Sequence, residues 1–165
     1  VSAEAPAARD RERWLTFEVG GSAWALPIAD VLEVCEVARI GRVPTLPRGV
    51  GGVMHYHGDA LPVIARSALF DVALEDLAEP EQVVVIADRT IDVARLGLPV
   101  DRVLGLVDGV PPDSRQRSFV AARVPLEGRI TGILDVDRLV ARAQEVIDRS
   151  GESVETGNSE HGGET

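Results

Sequence analysis

Short apolar runs separated by turn residues extend along most of the chain. In the first, Trp14-Leu15-Thr16-Phe17-Glu18-Val19, alternation sets Leu15, Phe17 and Val19 on one face, the pattern of a strand. Gly20-Gly21 predicts a hairpin turn, and Ala23-Trp24-Ala25-Leu26-Pro27 returns as a second strand that Pro27 ends. From Asp30 to Val37 helical spacing (Val31, Val34, Cys35) competes with strand alternation, which sets Leu32 and Val34 against Val31, Glu33, Cys35 and Val37. The run is short and β-branched, which favours a strand from about Val31. Two prolines in residues 42–47 predict an extended connector. Residues 51–64 then read as two short strands around a turn, and Ser67 to Phe70 as one helical turn.

Asp71 to Glu81 carries five carboxylates and no basic residue, which predicts a solvated loop between two halves. Beyond it, Gln82 to Ala87 is a continuous apolar strand suited to a core. Val93 to Val100, Val103 to Val107, Phe119 to Val124 and Arg129 to Leu134 supply four more strands, the last two joined at Glu127-Gly128. Asp135 is placed to cap a closing helix whose Val136, Leu139, Val140, Ala143, Val146 and Ile147 form one apolar stripe. About ten short strands with little helix predict an all-β protein of two barrels sharing a core, divided near residues 71–81. No repeat of fixed period is visible.

Composition narrows the function. The chain has 165 residues, 45% of them hydrophobic, enough for a real core. A net charge of −10 argues against a nucleic-acid or anionic-membrane surface. The single cysteine, Cys35, cannot make an internal disulfide and is read as a small core residue, which fits a cytoplasmic protein. No apolar run is long enough to span a membrane, and residues 1–13 lack the apolar segment of a signal peptide. These residues are expected to form a loose arm, and the Gly-, Ser- and Glu-rich residues 150–165 a disordered acidic tail, leaving 14–149 as the folded domain.

The order and spacing of several segments resemble the CheW-like adaptor family of bacterial chemotaxis. The resemblance covers about Trp14 to Ala143. Leu15 through Ile28 is similar to the family's first hairpin, and Val31-Leu32-Glu33-Val34 to its V-x-E-V segment. Val43-Pro44 with Pro47, Gly52-Val53, Gly58 and Pro62-Val63 match its V-P-x-x-P and G-V-x-x-x-x-G-x-x-x-P-V core. Leu96 through Val103 is similar to its G-L-x-V-D-x-V segment, and Ile133 through Leu139 to its closing strand and helix. The resemblance implies two SH3-like five-stranded β-barrels around a common core, with a short C-terminal helix and a groove between the barrels. It implies no catalytic residue, no cofactor and no metal. It also implies a scaffold that joins the regulatory domain of a CheA-type histidine kinase to the cytoplasmic tips of chemoreceptors. The expected kinase-binding surface is Val31, Glu33 and Val34, and the expected receptor-binding surface His55, His57, Gly58 and Val100. Two positions depart from the family. His55 and His57 stand where it has Asn and Arg in N-x-R-G, and Ala65 stands where its P-V-x-D-L has Asp. Imidazole lacks arginine's permanent charged fork, so a specialised CheW-like protein of another pathway, with altered or absent receptor binding, is a second reading.

Other chemistry is weaker. His55, His57 and Asp59 would share a face if one strand ran through Gly58, and this order resembles the metal-binding segment of metallo-β-lactamase-type hydrolases. That would suit a zinc-dependent hydrolase. The hydrolase pattern, however, continues with His where this chain has Ala60, the remaining histidine is His161 in the tail, and Gly58 is expected to bend the strand. The histidines then read as part of a partner surface, sensitive to pH near neutrality. Gly97, Gly105 and Gly109 lack the Lys-Ser/Thr of a phosphate loop. Ser67 and Ser118 lack a His–Asp pairing, Asp101 and Asp108 read as strand-end carboxylates, and Trp24 as core.

Overall fold

The structure is a computed structural model that describes residues 11–37, 40–41, 49–70, 72–88, 91–113 and 117–155. The described residues hold eleven strands, ten on the expected runs and one, β4, that was not expected: β1 (Glu12–Val19), β2 (Ser22–Pro27), β3 (Val31–Glu36), β4 (Ile40–Gly41), β5 (Val50–Tyr56), β6 (Asp59–Ile64), β7 (Gln82–Asp88), β8 (Val93–Val100), β9 (Arg102–Gly109), β10 (Val120–Leu126) and β11 (Arg129–Leu134). Two helices join them, α1 (Arg66–Leu69) and α2 (Val136–Glu155). The expected connector at 42–47 lies outside the described residues.

The strands form two sheets, one of five strands in the order β10-β11-β2-β1-β9 and one of six in the order β3-β7-β8-β6-β5-β4. The all-β, two-barrel architecture is therefore present. Its division differs from the expected one. Sheet one is assembled from the two ends of the chain, residues 12–27 and 102–134, and sheet two from the stretch between them. The acidic loop before β7 does not separate the sheets. It leaves α1 and returns to the same sheet, because β7 pairs antiparallel with β3 and β8 parallel with β6. Its described carboxylates, Glu75, Asp76, Glu79 and Glu81, are exposed and mark a crossing over solvent, not a boundary. Sheet one closes through distant pairings, β1 with β9 antiparallel and β2 with β11 parallel.

Alternation explains why so many runs are apolar at every position. In β7, Val84 and Ile86 enter a core shared by both sheets, whereas Val83 and Val85 face the interior of sheet two with Cys35, Met54, Leu61 and Val63. In β1, Leu15, Phe17 and Val19 enter the shared core, whereas Trp14 packs with Ala25 and Ile133 inside sheet one. A strand buried on both sides has little room for polar residues, and Thr16 of β1 is accommodated by donating its hydroxyl to the Gly105 carbonyl at 3.0 Å. Each large side chain so buried contributes roughly 1.5–3 kcal/mol relative to exposure. Trp24 belongs to the shared core, its ring 4.8 Å from that of Phe70. Gly132 is required beside it, since a Cβ there would come within 2.5 Å of the indole.

α2 closes the shared core. The Arg138 N–H donates to Asp135 Oδ1 at 3.1 Å, the expected cap, and Val136, Leu139 and Ala143 are buried against both sheets. Val140, Val146 and Ile147 pack along the same stripe. The helix continues to Glu155, so it takes in the first residues of the stretch expected to be a disordered tail. Residues 156–165 lie outside the described residues, as do 1–10 of the expected N-terminal arm.

One polar joint ties the sheets together. Arg66, at the start of α1, pairs through Nη1 with Asp101, between β8 and β9, and their side chains are only 10% and 11% exposed. Arg66 Nη2 also donates to the Ala78 carbonyl at 2.7 Å, and Asp101 Oδ2 accepts the Gly20 N–H at 2.8 Å. The Asp101 N–H donates to the Glu18 carbonyl at 2.8 Å. Asp101 is thus a strand-end carboxylate as expected, but a buried one that anchors the β1–β2 turn. Removing either partner strands a charge in a site with little water. We expect Arg66→Met or Asp101→Leu to cost about 3–5 kcal/mol in urea unfolding, and the double variant clearly less than the sum. Additive losses would show that the pair is not coupled.

Candidate partner-docking surface

β3 is an edge strand. Among the described residues it pairs with β7 and stands at the end of its sheet. Leu32 and Val34 face outward and are 37% and 36% exposed, unusual for large aliphatics on an edge. The expected kinase-binding residues therefore divide. Val34 is on the surface. Val31 is half-buried and packs against the shared core, opposite Ile86. Glu33 is turned toward the β5–β6 turn. Leu32 is a surface residue that the expected set lacks, although the alternation that sets it beside Val34 is the signal for it.

The expected receptor-binding residues divide as well. His57 and Gly58 form the tight turn between β5 and β6, with φ of 47° and 96°. Two successive residues in the left-handed region give the chain reversal that matches strand twist, so His57 has left the strand that carries His55. Asp59 already belongs to the returning strand, opposite Tyr56. The single-strand alignment on which a His55–His57–Asp59 metal site depends is absent. Among the described residues no group of three or more His, Cys, Asp or Glu side chains is arranged to hold a metal ion. His55 and His57 are exposed.

Val100 requires correction. It is fully buried in the shared core and offers no surface to a partner. Both faces of that part of β8 are covered, so alternation there does not mark an outside.

The turn brings together residues that the family resemblance assigns to different partners. His57 Nε2 lies 3.8 Å from Glu33 Oε2, and the Tyr56 ring meets the His57 ring edge-on at 4.3 Å. Tyr56 shares a side-chain hydrogen bond with Glu33, and its phenol is pushed above its usual range, first by burial and then by the Glu33 carboxylate. A second apolar edge lies on sheet one. Among the described residues β9 pairs with β1 alone, and it exposes Leu104 and Leu106, 40% and 52%.

Tyr56 is the only tyrosine in the chain, so tyrosinate absorbance reports on it alone. Removing the negative charge of Glu33 makes the phenolate easier to form. We expect Glu33→Gln to lower the midpoint of the alkaline tyrosinate titration, and an unchanged midpoint would mean that Glu33 does not act on Tyr56.

Comparison with known proteins fits these features. The family model described as CheW-like domain matches residues 13–144. A chemotaxis protein CheW of Thermotoga maritima is 27% identical over 133 residues, covering 76% of this chain and 85% of that relative. The crystal structure of scaffolding protein TtCheW from Thermoanaerobacter tengcongensis superposes with a TM-score of 0.62 at 19% identity, covering 76% of this chain and 90% of the other. The match to the family model runs from β1 into α2, over most of the chain, and the protein belongs to the CheW-like domain family.

Proposed function

We propose that this chain is a non-enzymatic adaptor that couples a CheA-type histidine kinase to chemoreceptors in the cytoplasm. The observation that carries this reading is the outer edge of β3, which exposes Leu32 and Val34 at the end of its sheet. Such an edge offers a partner backbone hydrogen bonds together with the outward side chains Leu32 and Val34. In this reading the kinase regulatory domain packs on that edge, with Val31 holding the strand to the core and Glu33 fixed behind it by Tyr56 and His57. The receptor tip meets the neighbouring turn, at His55, His57 and Gly58. No helix among the described residues is long and apolar enough to cross a membrane, and nothing in this mechanism calls on a cofactor.

The Glu33–His57 contact favours a second reading within the same fold. The family's Arg position is filled in this chain by an imidazole 3.8 Å from a carboxylate, which lacks arginine's planar fork of five donors. That suits an adaptor of a specialised pathway with a different receptor. Binding of the kinase domain without binding of a chemoreceptor tip would support it.

Calorimetric titration with the regulatory domain of a CheA-type kinase from the same genome tests the adaptor reading. We expect saturable one-to-one binding that Val34→Asp weakens by about tenfold or more, since it puts a charge into an apolar contact. The thermal midpoint should hold, because Val34 is not in the core. Absence of binding by the unaltered protein would contradict the reading.

A further inference from the structure

β9 stands at the end of sheet one, and exposure alternates along it. Arg102, Leu104, Leu106 and Asp108 are exposed, and the residues between them are half-buried. The two leucines are more exposed than Leu32 and Val34 of β3, and the adaptor reading does not use them. The charges at the two ends of the strand are opposite in sign and stand three residues either side of Gly105. Each already has one partner in the chain. Arg102 Nη2 lies 3.6 Å from Glu18 Oε2, and Arg13 Nε lies 3.1 Å from Asp108 Oδ1. The Arg102 and Asp108 side chains are still 57% and 51% exposed. A guanidinium carries five N–H donors and a carboxylate two accepting oxygens, so both have capacity for a second partner.

A strand of this pattern is complementary to itself. Set antiparallel to a second copy about a two-fold axis at Gly105, it places Leu104 of each copy opposite Leu106 of the other, and Arg102 opposite Asp108. The two glycines meet at the axis, where no side chain holds the strands apart. Opposite charges directly across a strand pair stabilise it, and like charges oppose it. Parallel pairing in register would set Arg102 against Arg102 and Asp108 against Asp108. An antiparallel slip of two residues would set Asp108 against Leu104, or Arg102 against Leu106. The charges therefore select one arrangement. β3 lacks this property, because the antiparallel pairing that joins Leu32 to Val34 sets Glu33 against Glu33.

We propose that the β9 edge binds a second copy of this chain, antiparallel and two-fold symmetric, so that the protein forms a closed dimer. The same patch serves both copies, so the assembly stops at two. The register of β9 against β1 shifts between Thr16 and Phe17, and such a bulge shortens the run over which an edge can pair. Two short strands bury less than the roughly 1,200–2,000 Å² of a stable interface. The dimer is accordingly weak, with a dissociation constant on the order of 100 µM. It carries two β3 edges, so the inference adds to the adaptor reading without resting on it.

Sedimentation equilibrium of the full chain, from micromolar to near-millimolar concentration, tests the proposal. Salt at about 0.15 M screens the long-range repulsion between two chains of charge −10. We expect a single monomer–dimer equilibrium. Leu106→Asp should weaken it about tenfold or more by placing a charge in the apolar contact, and the thermal midpoint should hold because the side chain is exposed. Arg102→Asp and Asp108→Arg should each weaken the dimer. The two together should restore it, since opposite charges again face each other across the axis. Val34→Asp should leave it unchanged. A protein that stays monomeric throughout would overturn the proposal, as would a double exchange that dimerises no better than its single variants at an unchanged thermal midpoint. Species larger than a dimer, or loss of association in Val34→Asp, would overturn it too, by showing that β9 meets β3 of the next copy head to tail. The kinase titration reads β3 instead. Kinase binding by a strictly monomeric protein would leave the adaptor reading standing and this inference refuted.

Discussion

One apolar core serves two sheets, and the rest of the molecule follows from that sharing. Phe17 and Leu26 come from sheet one, Val84, Ile86, Leu98 and Val100 from sheet two, and Leu139 of α2 closes the space between them. Neither sheet can bury this surface alone. Because each also has an interior of its own, its central strands are covered on both sides, and the few polar side chains within them, Thr16 and Thr131, are buried with a hydrogen bond to a backbone carbonyl. The Arg66–Asp101 joint acts at the margin of this core. It adds a directional contact where the β1–β2 turn, α1 and the β8–β9 junction meet, and packing alone would not fix their relative placement.

The same constraint sets where partners can bind. With the centre of each sheet covered, the exposed aliphatics fall largely at strand edges and turns. Leu32 and Val34 line one edge, and Leu104 and Leu106 line the other. An adaptor needs rigid, preformed surfaces more than it needs chemistry, because a partner then binds without ordering the surface it meets.

Local structure was legible in the sequence because it depends on neighbours. The Gly20-Gly21 turn, the alternation of β1, the Asp135 cap and the stripe of α2 each follow from residues within a few positions of one another. The partition into sheets was not, because it depends on β1 meeting β9 and β2 meeting β11 across more than eighty residues of chain. The misplaced division near 71–81 has the same cause, since an acidic loop shows where chain meets water and not which sheet lies on either side. At the candidate surface, the edge strand and the exposure of His55 and His57 could be read. Val100 could not, because a strand buried on both faces has no polar alternate to reveal its surroundings. The turning of Glu33 toward His57 was hidden too, as it brings together residues of β3 and the β5–β6 turn. In the case of Leu32 the signal was present and pointed outward with Val34.

Native-state hydrogen exchange across a denaturant series tests the shared core most directly. If the two sheets hold one core in common, the slowest amides of β1 and β2 and those of β7 and β8 will converge on a single opening free energy, equal to that of global unfolding. If sheet one opens while the amides of β7 and β8 stay protected, the sheets are separate folding units, and a core held in common is contradicted.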